Sequence, residues 1–188
     1  MKKYILFDTE FTAWKNSKKN NWSKSGEYRE LIQIAAFKIN NGKLVETLNI
    51  YIKPNINKKL SNFITKLTGI TNNKLNKDGV TFKTAIKKFY DFSKYYTLYS
   101  YGNDYDVIKE NLLLNNYDKK SKYMKRAWMN KFNDFKDILK KNSTIDPAKY
   151  TSGTIFKAFN IKMPKDHKIH NSFNDVNSMY NVCKYFYN

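Results

Sequence analysis

The hydrophobic pattern of the chain predicts strands in its first third and mostly helices in the remainder. Residues 3–7 form a short apolar run that is typical of a buried central strand. Residues 31–39 and 44–52 predict two further strands, and the sequence Asn40-Asn41-Gly42 between them favours a tight hairpin. Residues 97–101 predict a fourth strand.

Apolar residues recur at helical spacing in the other segments. Leu60, Phe63, Ile64 and Leu67 lie at i, i+3, i+4 and i+7, and they predict a helix that ends at Gly69. Further helices are predicted over residues 81–90, 135–139 and 151–159, and another is predicted to follow residues 102–103. A last predicted helix has Val176, Met179, Cys183 and Phe186 on one face. Residues 16–26 and 162–170 predict loops, and the basic segment 119–131 fits no pattern.

A hairpin followed by alternating helices and strands predicts an α/β fold with a single mixed β-sheet flanked by helices. The 188 residues fit one domain, so we expect residues 1–188 to form a single domain. The apolar runs are too short for a bilayer, and Asp8 and Glu10 interrupt the first run, so we expect neither a membrane span nor a secretory signal. The one cysteine, Cys183, excludes an internal disulfide, and a cytoplasmic location is the simplest expectation.

The charge balance favours a polyanionic partner. The formal net charge is +19, and a field of that sign concentrates nucleic acid near a protein. The abundance of Lys, Asn, Ile and Tyr is also what an AT-rich genome encodes, so charge alone does not identify the partner. Within residues 119–131, Tyr123, Arg126 and Trp128 stand among lysines, which suits either a surface that binds single strands or a solvated basic face.

The first candidate for chemistry is a pair of carboxylates at the end of the first predicted strand. Side chains two apart on a strand point the same way, so Asp8 and Glu10 project together. A divalent cation relieves the repulsion between such charges. An isolated pair of this kind can also be two solvated loop acids, so this motif needs support from elsewhere in the chain.

Two further segments supply that support. His170 precedes Asp175 by five residues, at the start of the last predicted helix, where a histidine can act as a base near neutral pH or can simply cap a loop. Asp104 and Asp106 follow Gly102 at a strand-to-helix junction, which is where sites assemble in α/β sheets.

Taken in order, these segments resemble the motifs of a known enzyme family. Residues 7–12, 101–111 and 170–175 are similar to the three motifs of the DEDDh 3′–5′ exonuclease superfamily, also called DnaQ-like or RNase T-like. Tyr51-Ile52-Lys53-Pro54 and the later Leu67-Thr68-Gly69-Ile70-Thr71 resemble the signature of its Eri-type and KapD-like branch. The resemblance implies a ribonuclease H-like exonuclease fold.

The resemblance also implies roles for the candidate residues. Asp8, Glu10 and Asp175 would be metal ligands, and His170 would be the general base. Asp104 is preferred over Asp106 as the fourth ligand, because the family places apolar residues three and four positions after this acid. The implied cofactors are two Mg²⁺ or Mn²⁺ ions, and the implied reaction releases nucleoside 5′-monophosphates from the 3′ ends of single-stranded RNA or DNA, or from 3′ overhangs.

Substrate contacts are predicted around these motifs. In the family, the segment that matches Leu67, Thr68 and Ile70 lies beside the 3′-terminal nucleotide, although these residues can equally form a helix C-cap with buried flanks. Trp14 can stack a terminal base or belong to the core. Three more contacts are expected at Thr9, Phe11 and Asn103.

Two other functions fit the same sequence. One is a non-catalytic nucleic-acid-binding module on an exonuclease fold, which the complete set of acids disfavours. The other is a proofreading subunit that works inside a polymerase assembly.

Overall fold

The computed structural model describes residues 3–187, which build a mixed sheet of five strands in the order β3-β2-β1-β4-β5. β1 pairs with β2 in antiparallel fashion and with β4 in parallel fashion, and β5 lies parallel to β4. This arrangement confirms the predicted single mixed sheet. The strands are β1 (Lys3–Phe11), β2 (Leu31–Asn40), β3 (Lys43–Tyr51), β4 (Thr97–Ser100) and β5 (Phe132–Asp134).

Helices cover both faces of this sheet. They are α1 (Asn62–Thr68), α2 (Asn72–Asp78), α3 (Phe82–Ser93), α4 (Asp104–Leu114), α5 (Arg126–Met129), α6 (Phe135–Asn142) and α7 (Ser172–Tyr187). Three short 3₁₀ helices lie at Lys122–Met124, Pro147–Lys149 and Ile155–Phe159. In the described part of the chain, no helix is long and apolar enough to cross a membrane.

The alternation of side chains along β1 divides the interior into two large cores. Ile5 and Phe7 are buried in a cluster with residues of α3 and α4 on one face. Tyr4 and Leu6 are buried in a second cluster with residues of α6 and α7 on the other face. Asp8 and Glu10 continue the even-numbered series, so the alternation directs both carboxylates to the face that α7 covers.

A third, smaller cluster attaches α1 and α2 to the end of the sheet. Ala13 and Ile32 pack there with Leu60, Ile64 and Ile70. This cluster places the short helices beside the segment that follows β1, at the same end as the two acids.

Local signals account for most of the predicted elements. Asn41 and Gly42 both have positive φ, 49° and 76°, as a two-residue hairpin turn requires. Helix α1 begins where the Ser61 side chain accepts a hydrogen bond from the Ile64 backbone N–H, and it ends at Gly69, which has a φ of 77°. Asn160 ends its 3₁₀ helix in the left-handed conformation, with a φ of 55°.

Several features differ from the prediction. Residues 151–159, predicted as one helix, form a turn followed by the 3₁₀ helix Ile155–Phe159. Helix α2 and strand β5 have seven and three residues, which is too short for a clear hydrophobic period. Phe63 was predicted on the buried face of α1 but is 41% exposed, because α1 starts only at Asn62 and directs Ile64 and Thr68 inward.

The basic segment 119–131 turns out to have an apolar interior. Tyr123 and Trp128 are buried, and the Trp128 Nε1–H donates a hydrogen bond of 3.1 Å to the Ser93 hydroxyl. These rings belong to the core against α3, so they cannot stack on nucleic acid. The alternative of a solvated basic face describes the segment.

Candidate active site

Four buried carboxylates meet at the carboxyl end of β1. Asp8 and Glu10 come from β1 itself, Asp104 is the first residue of α4, and Asp175 is the fourth residue of α7. Each is less than a tenth exposed. Because β4 runs parallel to β1, the helix that follows β4 begins at the same end of the sheet and brings Asp104 to the β1 acids.

Burial and mutual repulsion disturb the ionisation of this cluster. Burial raises the pKa of Asp8 well above its usual value, and the charges of Asp104, Asp175 and Glu10 raise it further. The pKa of Glu10 is raised in the same way, first by burial and then by Asp175 and Asp104. Burial raises the pKa of Asp104 to about 6 and that of Asp175 to about 7. Such a cluster favours protons or a cation among its oxygens.

The donor set fits a divalent ion. Glu10, His170 and Asp175 each offer one ligand atom, and these atoms all lie within 4.8 Å of one another. The Asp175 Oδ1 atom is buried and has no hydrogen-bond partner among the described residues. Oxygen-rich sites of this kind suit hard cations such as Mg²⁺ or Mn²⁺.

The structure separates the two acids that the sequence left open at the start of α4. Asp104 is buried, and its Oδ1 accepts hydrogen bonds from the Thr9 backbone N–H at 3.0 Å and from the Thr9 hydroxyl at 2.5 Å. Asp106 is exposed to solvent. Asp104 is therefore the acid that faces the other three, and Thr9 fixes its carboxylate.

His170 occupies a strained turn immediately before α7. Its φ of 59° lies in the left-handed region, which is uncommon for a residue with a side chain. The backbone N–H of Asp175 donates a hydrogen bond of 2.9 Å to the Asn171 carbonyl, which joins this turn to the start of α7. Burial, and then the charge of Lys18, hold the pKa of His170 below its usual value, so the ring is neutral near neutral pH.

A second layer of contacts supports Asp175, and the sequence analysis missed it. The Ser152 hydroxyl donates a hydrogen bond of 3.3 Å to Asp175 Oδ2. A Cβ atom at Gly153 would lie 2.4 Å from Asp175 Oδ1, so any larger residue there would displace this carboxylate. The His167 Nε2 atom lies 3.1 Å from the Gly153 carbonyl oxygen. In the sequence, residues 151–159 show only a helix signal, so nothing there pointed to this role.

The residues predicted to contact the substrate fall into two groups, one that is exposed to solvent at least in part and one that is buried. Asn103 is exposed, and Phe11, Trp14 and Leu67 are half-buried, so these four residues keep surface that a ligand can reach.

Thr9, Thr68 and Ile70 are buried and have internal partners instead. The Thr68 hydroxyl donates to the Ile64 carbonyl at 2.9 Å and accepts from the Ile70 backbone N–H at 3.0 Å, as expected of the helix C-cap alternative.

Comparisons with known proteins agree with this geometry. A family model described as an exonuclease, RNase T, matches residues 5–183. The PolC-type DNA polymerase III of Caldanaerobacter subterraneus subsp. tengcongensis is 34% identical over 104 residues, which are 55% of this chain and 6% of that protein. The chain thus spans a small part of this curated relative, whose whole-protein activity cannot be transferred to it.

Solved structures show the same fold. A 3′-exonuclease that recognises the histone mRNA stem-loop superposes with a TM-score of 0.75 at 18% identity, over 98% of this chain and 80% of that one. The nuclease domain of 3′hExo, a DEDDh family member bound to rAMP, superposes with a TM-score of 0.72 at 20% identity, over 98% and 90% of the two chains.

The raised pKa of Asp104 predicts a pH-dependent effect on stability. The pKa in the folded state, about 6, exceeds the ordinary value of 3.8, so the stabilising contribution of the proton is complete below pH 3.8 and is lost as pH rises through about 6. Asn is neutral at every pH, and its Oδ1 can accept both Thr9 hydrogen bonds. With EDTA at about pH 8, Asp104→Asn should raise the free energy of unfolding in urea by roughly 1–3 kcal/mol. This gain should shrink as pH falls below 6.

The exposed Asp106 provides the control for this measurement. Asp106→Asn should show no such pH-dependent difference from the wild type. An equal increase in the free energy of unfolding from both substitutions would mean that the burial of the Asp104 carboxylate does not destabilise the fold.

The hydrogen bond from Ser152 to Asp175 predicts a role in metal binding. Loss of a hydrogen bond that orients a ligand typically costs about 10- to 100-fold in metal affinity. Ser152→Ala should therefore weaken Mn²⁺ binding, measured by calorimetry, by an amount in that range. Ser143→Ala is the matched control, because the Ser143 hydroxyl donates to the Leu139 carbonyl at the end of α6. Equal affinities for the two variants would contradict the role of Ser152.

Proposed function

Because the chain belongs to the RNase T family of exonucleases, we propose that it is a DEDDh-type 3′–5′ exonuclease. Its substrates are single-stranded RNA or DNA, or 3′ overhangs, and its products are nucleoside 5′-monophosphates. The observation that supports this proposal is the convergence of Asp8, Glu10, Asp104 and Asp175, with His170 beside them, at one end of the sheet. We further propose that residues 1–188 act as one exonuclease domain.

The acid cluster would hold two divalent ions, Mg²⁺ or Mn²⁺. Asp8, Glu10, Asp104 and Asp175 provide the oxygen ligands for them. When bound, such ions lower the pKa of a coordinated water and stabilise charge on the reacting phosphate. The four carboxylates would otherwise repel a phosphodiester, so the ions also make the site compatible with its substrate.

The residues of the chain would then position the groups and transfer one proton. A water oxygen attacks the phosphorus of the terminal nucleotide, and the bond from that phosphorus to the 3′ oxygen of the preceding nucleotide breaks. A neutral ring nitrogen of His170 takes the proton of the attacking water. The departing 3′ oxygen takes a proton from solvent. Thr9 and Ser152 keep Asp104 and Asp175 in place through their hydrogen bonds.

A second candidate is supported by the relatives. The 34% identity to a PolC-type DNA polymerase III favours the proofreading of DNA ends inside a polymerase assembly. The two candidates share the reaction and differ in the substrate. A proofreading enzyme would prefer a mismatched 3′ end on duplex DNA, whereas the first candidate would degrade free single strands of RNA or DNA.

Digestion of end-labelled strands tests the reaction. Single-stranded RNA and DNA labelled at the 3′ end should release a labelled mononucleotide at once, whereas 5′-labelled strands should shorten stepwise. Activity should vanish in EDTA and return with Mg²⁺ or Mn²⁺, because the ligands are carboxylates. Asp8→Asn should be inactive under all conditions. Binding without hydrolysis by the wild type would instead indicate a non-catalytic module.

The proposed base is tested by substitution and rescue. General-base catalysis contributes typically ~10²–10⁴-fold, so His170→Ala should lower kcat by a factor in that range with little change in metal affinity. Added imidazole should restore part of the rate, since it supplies the missing base. His167→Ala is not a clean control, because His167 contacts the Gly153 carbonyl beside Asp175. A full rate in His170→Ala would exclude His170 as the base.

A further inference from the structure

Helix α1 presents an aromatic ring to solvent on its outer face. Phe63 is 41% exposed, while Ile64 and Thr68 on the inner face are buried. Lys66 lies one helical turn after Phe63, and Lys59 lies in the loop before the helix; both are exposed. We call Lys59, Phe63 and Lys66 the α1 platform.

The platform lies in the most one-sidedly charged part of the chain. Residues 47–77 contain six lysines and no Asp or Glu. Among the described residues, the ion pair between Lys74 and Asp78 is the one such pair that involves this stretch. Lys59 and Lys66 are thus not neutralised by carboxylates, and their surroundings attract polyanions.

One hydrogen bond and the apolar packing of Ala13 against Ile64 hold α1 beside the segment that follows β1. At its start, the Ser61 hydroxyl donates a hydrogen bond of 2.5 Å to the carbonyl of Ala13, three residues after Glu10. At its end, Gly69 lies so close to Lys168 that a Cβ atom there would be 2.5 Å from the lysine Nζ. Lys168 is two residues before His170. One end of the helix therefore contacts the segment that follows the acids of β1, and its other end lies near the side chain of Lys168.

We propose that the α1 platform binds single-stranded nucleic acid upstream of the scissile bond. The Phe63 ring would stack on a base, which is worth ~1–3 kcal/mol, and Lys59 and Lys66 would contact phosphates. Stacking on an exposed ring requires an unpaired base, so the platform selects single strands over duplex. This inference rests on the proposed function, because it assumes that a 3′ end occupies the acid cluster.

The test compares substrates of two lengths. A dinucleotide is too short to fill the acid cluster and also extend along α1, whereas a strand of roughly a dozen nucleotides can do both. In Phe63→Ala, the ratio of kcat/KM for the long strand to kcat/KM for the dinucleotide should fall by roughly 5- to 150-fold, the range that corresponds to the loss of one stacked base. Lys66→Gln should lower the same ratio and weaken its dependence on salt.

Two exposed residues at the opposite end of the sheet serve as controls. Tyr95 is 82% exposed and precedes β4, and Lys43 begins β3 at the hairpin. Tyr95 lies away from the acids because β4 is parallel to β1, and Lys43 does so because it pairs with Asn40, which pairs with Lys3 at the start of β1. Tyr95→Ala and Lys43→Gln should keep the wild-type ratio. Thermal unfolding should show that all four variants are folded.

A binding measurement separates this inference from the proposed function. Fluorescence anisotropy of a labelled strand with Asp8→Asn, alone and combined with Phe63→Ala, reports the platform without hydrolysis. Weaker binding in the double variant supports the platform even if the wild type hydrolyses nothing, which would overturn the proposed function alone. Unchanged binding together with an unchanged length ratio would overturn the platform.

Discussion

The burial of four carboxylates together at the end of β1 is the constraint on which the rest of this structure depends. Acids removed from water and placed together resist ionisation, and the raised pKa values of Asp8, Glu10, Asp104 and Asp175 express that resistance. A fold can maintain such a cluster only if other interactions hold each acid in place. The cluster is therefore unfavourable for folding by itself and becomes favourable when a cation is present.

The fold holds these acids with elements that have separate sources of stability. Strand β1 is the middle strand of the sheet, and its alternation anchors Ile5 and Phe7 in one core and Tyr4 and Leu6 in the other. The parallel pairing of β1 with β4 fixes the start of α4, and the packing of α7 on β1 fixes the position of Asp175. Hydrogen bonds from Thr9 and Ser152 then set the orientation of individual carboxylates.

The charge of the chain complements this negative centre. A net charge of +19 attracts polyanions in general, whereas buried carboxylates, where they are ionised, repel phosphate. Residues 47–77 contain six lysines and no Asp or Glu, and α1, which lies within them, packs against the segment that follows β1. Segment 119–131 has a similarly basic composition, but its aromatic side chains are buried in the core.

The sequence by itself determined the features that depend on local period and local chemistry. The hairpin at Asn41-Gly42, the end of α1 at Gly69 and the order of the acidic motifs follow from residue types at fixed spacing. The apolar spacing favoured Asp104 over Asp106 at the start of α4, and tertiary packing decided between them, since the Thr9 backbone N–H and hydroxyl bond only Asp104.

Packing also decided that Phe63 faces water and that Ser152 and Gly153 support Asp175. These outcomes depend on contacts between segments far apart in the chain, and no periodicity within one segment encodes them. The supporting residues contact the acids from a turn that shows only a helix signal in the sequence, so their role became visible only when the chain was folded.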